Sequence, residues 1–182
     1  MHHVSPEQIE SLYQQINKQI DQLPIYNYDF ESTEYSQIPK IEFSSIINFN
    51  SESSVFNFLK NGWSFPEKNH IWSVGDFSDL LFKINETKKD LLIEVYGEPF
   101  IPKNGTSQSI TVESFDQSIA SWSCKALGLY SCFIPNRLIP KNKVILLRFK
   151  YKDPQSPCTQ GTSSDARKLG FSFKSIQIKE CL

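Results

Sequence analysis

NGWSFPEKNHIWSVGDFSD, residues 61–79, carries two of the chain's three tryptophans, Trp63 and Trp72. Between them stand a turn proline, Pro66, an acid, Glu67, and a histidine, His70. Bulky apolar and polar groups alternate too irregularly for a plain strand or a plain helix, which predicts a looped segment. Two large aromatics flanking Pro-Glu in a loop make either a plug for a core or a wall against a sugar ring. A second segment, residues 156–171, reads SPCTQGTSSDARKLGF. The two segments are expected to meet in space.

Outward from the first segment, the chain divides into short apolar runs separated by turn signals. Strands are predicted over residues 80–84, 91–96, 109–115, 119–125, 129–134, 143–151 and 171–178. Residues 109–115 and 119–125 are close enough for a hairpin. Residues 97–105, with Pro99, Pro102 and Asn104-Gly105, read as a loop, and residues 134–142 as a turn-rich crossing. Upstream, residues 41–49 suggest an entry strand. Residues 51–60 suggest a loop with a helical turn on which Val55, Phe56 and Leu59 share a face. Short strands at roughly ten-residue spacing, with no helices between them, predict an all-β fold, an antiparallel β-sandwich of jelly-roll form.

The first forty residues differ in character. Ser5 caps a helix with Pro6 at its first position, and Ile9, Leu12, Ile16, Ile20 and Leu23 form an apolar stripe that ends before Pro24. This N-terminal amphipathic helix either packs on the domain or mediates self-association through residues 5–23. Residues 24–40 are aromatic, acidic and aperiodic, and read as an extended connector. The expected organisation is therefore residues 1–40 as helix and connector, and residues 41–182 as the sandwich.

Aromatic residues supply the core: 14 Phe, 7 Tyr and 3 Trp make up 13% of 182 residues, against 39% apolar residues in all. Each aromatic ring buries a large area, so few are needed. The net charge of −1 gives no basic footprint for nucleic acid and no polybasic membrane patch. No apolar run is long enough for a membrane span, and the N-terminus lacks the pattern of a signal peptide. The four cysteines, Cys124, Cys132, Cys158 and Cys181, form no CxxC pair and have no histidine at zinc-ligand spacing. A reduced, cytoplasmic protein without a cofactor is the expectation.

A family likeness rests on several motifs in order. Gly62-Trp63-Ser64 with Pro66-Glu67, then Trp72-Ser73 with Gly75, resembles the C-terminal β-sandwich domain associated with bacterial glycosyltransferases and polysaccharide-assembly proteins. Pro99-Phe100, Gln108, Trp122 and Ile134-Pro135 follow in the family's order. Its closing pattern is matched by Ser156-Pro157, Gly161, Ser163, Asp165, Arg167 and Leu169-Gly170. The likeness covers about residues 61–178. It implies a carbohydrate-binding-module-like jelly roll in a polysaccharide context, in a family many of whose members are domains of unknown function. The N-terminal sixty residues and the lack of a glycosyltransferase catalytic domain depart from the pattern.

From the residues themselves, Asp165 and Arg167 point the same way along an extended segment, and Arg167 can fork onto a carboxylate, with Glu67 as the partner across the sheet end. The result is either a polar floor for sugar hydroxyls or an ion-pair clasp between the two segments. Trp63 and Trp72 either stack on pyranose faces or plug the core, while Trp122, in a strand, is core. His70 is either a ligand residue or an ordinary surface side chain. The expected carbohydrate site is thus Trp63, Glu67, His70, Trp72, Asp165 and Arg167. Glu67 and Asp165 would be a poor glycosidase pair, because Arg167 keeps both ionised. Asp76 and Asp79 offer oxygens for calcium, but no ligand loop is recognisable. The expected function is a non-catalytic carbohydrate-binding accessory domain beside glycan-synthesis machinery. The alternative is a protein-interaction or assembly module with the sandwich as scaffold.

Overall fold

A computed structural model describes residues 36–181. The expected helix of residues 5–23 and most of the connector lie outside the described residues. Nine strands follow in chain order. β1 (Ile46–Asn48), β2 (Ile71–Val74), β3 (Phe77–Lys83), β4 (Leu91–Pro99) and β5 (Gln108–Ser114) come first. β6 (Gln117–Cys124), β7 (Gly128–Ile134), β8 (Val144–Tyr151) and β9 (Leu169–Glu180) complete the set. One sheet runs β1-β9-β4-β7, with β2 on the same flank of β9 as β1. The other runs β3-β8-β5-β6. All strand pairings are antiparallel. From β2 onward, every connection except the β5–β6 hairpin carries the chain from one sheet to the other. This crossing pattern is the jelly roll that the strand spacing predicts.

Alternation places the core. Along β4, Leu91, Ile93 and Val95 are buried while Leu92, Glu94 and Tyr96 face outward, the two-residue period of a half-buried strand. Between the sheets the rings interlock: Phe171 and Phe173 lie 4.9 Å apart edge to face, Phe149 and Phe173 5.1 Å, and Tyr130 and Phe171 5.6 Å. Trp122 is buried, as its strand position predicts, and its indole Nε1 donates to Ser131 O at 2.8 Å. That bond bridges β6 and β7, the free edges of the two sheets.

Three expectations are corrected. Residues 61–79 contain β2 and the start of β3, not a single irregular loop. β3 begins at Phe77, and β4 continues through Gly97 to Pro99 across a register shift at Tyr96/Gly97. In each case the pairing partner, β9 or β8, is distant in the sequence, so local patterning underestimates the strand. In the helical turn, Val55 and Phe58 are buried while Phe56 is exposed.

All four cysteines are free thiols. Burial pushes the Cys124 and Cys132 thiols up to about 12. Cys158 is exposed. Native protein treated with a thiol reagent at neutral pH should therefore be modified at Cys158, with Cys124 and Cys132 reacting only after unfolding; peptide mapping of the labelled protein checks this.

Candidate functional site

The site begins at a buried aspartate. Asp79, 2% exposed, lies on β3 directly opposite Arg148 on β8. Arg148 forks onto it, Nε to Oδ1 at 2.8 Å and Nη2 to Oδ2 at 3.0 Å. The bond to Asp79 raises the Arg148 pKa. The guanidinium also lies over the Phe77 ring, 4.4 Å from its centroid. Asp79 then gathers the chain before Trp63. Asn61 Nδ2 donates to Oδ2 at 3.1 Å, while Lys60 N and Trp63 Nε1 donate to the Asp79 carbonyl at 3.0 and 2.8 Å. With its carboxylate spent on Arg148 and Asn61, Asp79 serves as an anchor for the loop, not as a calcium ligand. Gly62 turns the chain at φ 77°, where a Cβ would lie 1.9 Å from Phe77 O; only glycine fits there.

From this anchor, residues 62–67 fold back on 70–74 as a hairpin. Ser64 N donates to Trp72 O at 2.9 Å, Glu67 N to His70 O at 2.9 Å and Val74 N to Gly62 O at 2.8 Å. Trp63 turns inward, edge to face with Phe173 at 4.8 Å and 5.6 Å from Phe49. Trp72, one position out of phase with buried Ile71 and Ser73, turns outward. There it meets His70 at 5.6 Å and Phe100 at 6.0 Å, both edge to face.

The late segment docks alongside. Ser156 caps a one-turn helix, α1 (Pro157–Gln160), which ends at Gly161 in the left-handed region. Gly75 N donates to Lys168 O at 2.8 Å, Val74 pairs with Leu169, and Phe171 N donates to Ser73 Oγ at 2.8 Å. The tryptophan segment and the aspartate–arginine segment therefore meet, as expected. Gly170, next in the chain, lets the Tyr151 ring approach: a Cβ there would be 2.4 Å from Tyr151 Cγ.

The ion pairing differs from expectation. Arg167 forks onto Asp165, with Nη2–Oδ2 at 2.6 Å and Nε–Oδ1 at 3.0 Å, while its backbone N also donates to Oδ1 at 2.9 Å. Glu67 instead pairs with His70 at 3.3 Å. A carboxylate two residues away in a turn is reached with less loss of freedom than one on another loop. The Arg167 guanidinium holds the Asp165 carboxyl below the usual carboxylate range. Glu67 remains within electrostatic reach of Arg167 and contributes to its raised pKa, after Asp165. The segments are clasped by backbone bonds, not by an ion pair between them.

Of the six expected residues, Trp63 and Arg167 line one open groove of about 430 Å³, together with Phe56, Ser64, Phe65, Pro66 and Val74. Asp165 is not among the lining residues but is bonded to Arg167. Glu67, His70 and Trp72 form a separate chain of contacts that ends on Phe100. Sequence reading passed over Phe56 and Phe65. Phe65 is 92% exposed and Phe56 47% exposed, although both are large apolar rings. The available signal was Phe65 between Ser64 and the turn proline Pro66, just before the hairpin turn at residues 67–70. Among the described residues, no cluster of three His, Cys, Asp or Glu side chains is arranged to hold a metal ion.

No protein family and no curated protein matches the chain. Among solved structures it is similar to a family GH115 4-O-methyl-alpha-glucuronidase with specificity for decorated arabinogalactans. That match has 11% identity and a TM-score of 0.44 over 66% of this chain and 15% of that one. It is also similar to an acetyl xylan esterase from the rumen bacterium Butyrivibrio proteoclasticus, with 12% identity and a TM-score of 0.44 over 77% of this chain and 34% of that one. A third match is a family 6 carbohydrate-binding module, with 12% identity and a TM-score of 0.38 over 79% of this chain and 98% of that one. The chain thus spans well under half of either enzyme. Likenesses this weak carry no functional weight.

Removing the Asp79 carboxylate leaves the Arg148 guanidinium without its partner and Asn61 without an acceptor. Asp79→Ala should lower stability by about 2–4 kcal/mol, below the full range for a buried pair because the Arg148 side chain is 28% exposed. Chemical denaturation measures the loss.

Proposed function

We propose that this chain is a non-catalytic carbohydrate-binding domain whose ligand lies in the groove formed by Phe56, Trp63, Phe65 and Arg167. The observation that carries this reading is the near-complete exposure of Phe65 at the lip of a groove floored by a tryptophan. An apolar ring held in water on a firmly hydrogen-bonded hairpin has a cost unless a ligand covers it. The C–H face of a pyranose is such a ligand: it stacks on aromatic rings while its hydroxyls seek paired donors and acceptors. Arg167 offers donors on the groove wall, held by its fork to Asp165, and the Ser64 hydroxyl lies on the same wall. Trp72, with Glu67 and His70, would extend the surface along the outer side of the hairpin.

Catalysis fits these residues poorly. A glycosidase needs one protonated carboxyl beside one ionised, and Arg167 keeps Asp165 ionised. The motif resemblance supports, as part of this proposal, a role beside glycan-synthesis machinery in bacteria with a glycosyltransferase domain as partner. Phe65→Ala tests the reading. Because the ring is exposed, thermal stability should stay unchanged. Affinity for whichever glycan a glycan array identifies should fall about tenfold, as measured by calorimetry. Unchanged affinity would remove the aromatic groove from the site.

A second reading, an assembly module, has its own observation. Tyr96 lies opposite Leu129, and Leu92 opposite Phe133, on the outer face of the β1-β9-β4-β7 sheet. Ile46 is in the same face through the row Ile46, Gln177, Glu94, Ser131. Ile46, Tyr96, Leu129 and Phe133 are all exposed, and such a face suits a partner or a second copy joined with help from residues 5–23. Light scattering on the full chain should then give a multiple of 21.0 kDa that Phe133→Ser reduces. A monomer at every concentration removes self-association.

A further inference from the structure

The ridge that carries Arg167 has a groove on each side. Arg167 lines the aromatic groove, while its neighbours Ala166 and Lys168 line a second one of about 530 Å³. Lys103, Asn104, Asp153, Gln155 and Thr159 form much of the remaining wall. This second groove is cross-tied. Lys103 N donates to Gln155 Oε1 at 3.2 Å and Gln155 Nε2 to Asp153 Oδ2 at 3.1 Å. Gln160 Nε2 donates to Ile101 O at 2.9 Å. These bonds hold the β4–β5 loop against the β8–β9 loop, so the groove is formed before any ligand arrives.

The two grooves differ in charge. In the first, Arg167 is matched by Asp165. In the second, Lys103 and Lys168 face the single carboxylate of Asp153, which already accepts from Gln155. Among the described residues, no carboxylate lies within ion-pair distance of either lysine ammonium. A local surplus of positive charge in a protein of net charge −1 selects for an anion at that point.

We propose that the glycan bound here is acidic. Lys103 and Lys168 hold its anionic substituent, a carboxylate or a sulfate ester, in the second groove. A neighbouring ring of the same chain lies on Phe65 and Trp63 in the first. Asn104, in the wall of the second groove, offers an amide to the sugar's hydroxyls. This inference rests on the carbohydrate reading above and adds the chemical class of the sugar.

Calorimetry on the full chain with two matched probe pairs tests it: oligogalacturonate against its fully methyl-esterified form, and dextran sulfate against dextran. Each pair keeps the rings and changes the charge. The charged member of one pair should bind about fivefold tighter at low ionic strength, with the gap shrinking as salt rises. The pair that shows the gap tells carboxylate from sulfate. The double variant Lys103→Gln/Lys168→Gln should close the gap while leaving the melting temperature and the neutral probe's affinity unchanged. Equal binding within both pairs, a gap that survives the double variant, or no binding of any of the four probes overturns the proposal. Phe65→Ala separates the two readings, since it should weaken charged and neutral members alike. A lysine-dependent gap that ignores Phe65 would leave the acidic site standing and sink the aromatic groove.

Discussion

A carboxylate almost sealed from water holds one end of this sandwich together. Asp79 sits on an edge strand, opposite Arg148, and Lys60, Asn61 and Trp63 all bond back to it. Burying an aspartate is costly, and the fork of Arg148 together with the amide of Asn61 offsets that cost more than it adds net stability. What the arrangement secures is position. The Trp63 indole is aimed at Phe49 and Phe173, and the hairpin arm that carries Phe65 continues directly from it.

The same end of the sandwich shows how a jelly roll assembles a site from distant pieces. β2 and the start of β9 are about a hundred residues apart in the chain, yet they share a ladder. Because antiparallel strands cross between sheets at almost every turn, the loops at one end come from the β1–β2, β4–β5 and β8–β9 connections together. Short polar bonds then lock the neighbours: Ser73 Oγ accepts from Phe171 N, and Gln155 and Gln160 span to the β4–β5 loop. The grooves lie where these connections adjoin. Their chemistry differs because adjacent residues, Arg167 and Lys168, belong to different walls.

Much of the fold was legible in the chain. The alternation in residues 91–96 marks a strand that buries one face, whereas β9 changes its buried face between Phe173 and Ile176, at the register shift against β4; the β5–β6 hairpin follows from the spacing of its two runs. Trp122 reads as core because its strand neighbours are serines. The site was legible only in part. The motif residues Trp63 and Arg167 do share a groove, but the pairing of Glu67 with Arg167 did not hold. Its competitor, Asp165, was in plain view two residues away, and a short-range contact costs less chain entropy. Asp79 was read as a possible metal ligand because its partner, Arg148, is sixty-nine residues away on another strand.

The two-layer antiparallel architecture rich in aromatic rings can be read from the chain alone, from its short apolar runs and the turns between them. Period-two burial and turn chemistry are local, so they can be read from neighbours in the chain. Tertiary contacts alone set which tryptophan turns inward and which outward, which carboxylate meets which cation, why Gly62 and Gly170 admit no side chain, and that Phe56 and Phe65 stand in water. Those outcomes depend on cross-strand register and on loops brought together by the fold. A one-residue change of register exchanges the two faces of a strand.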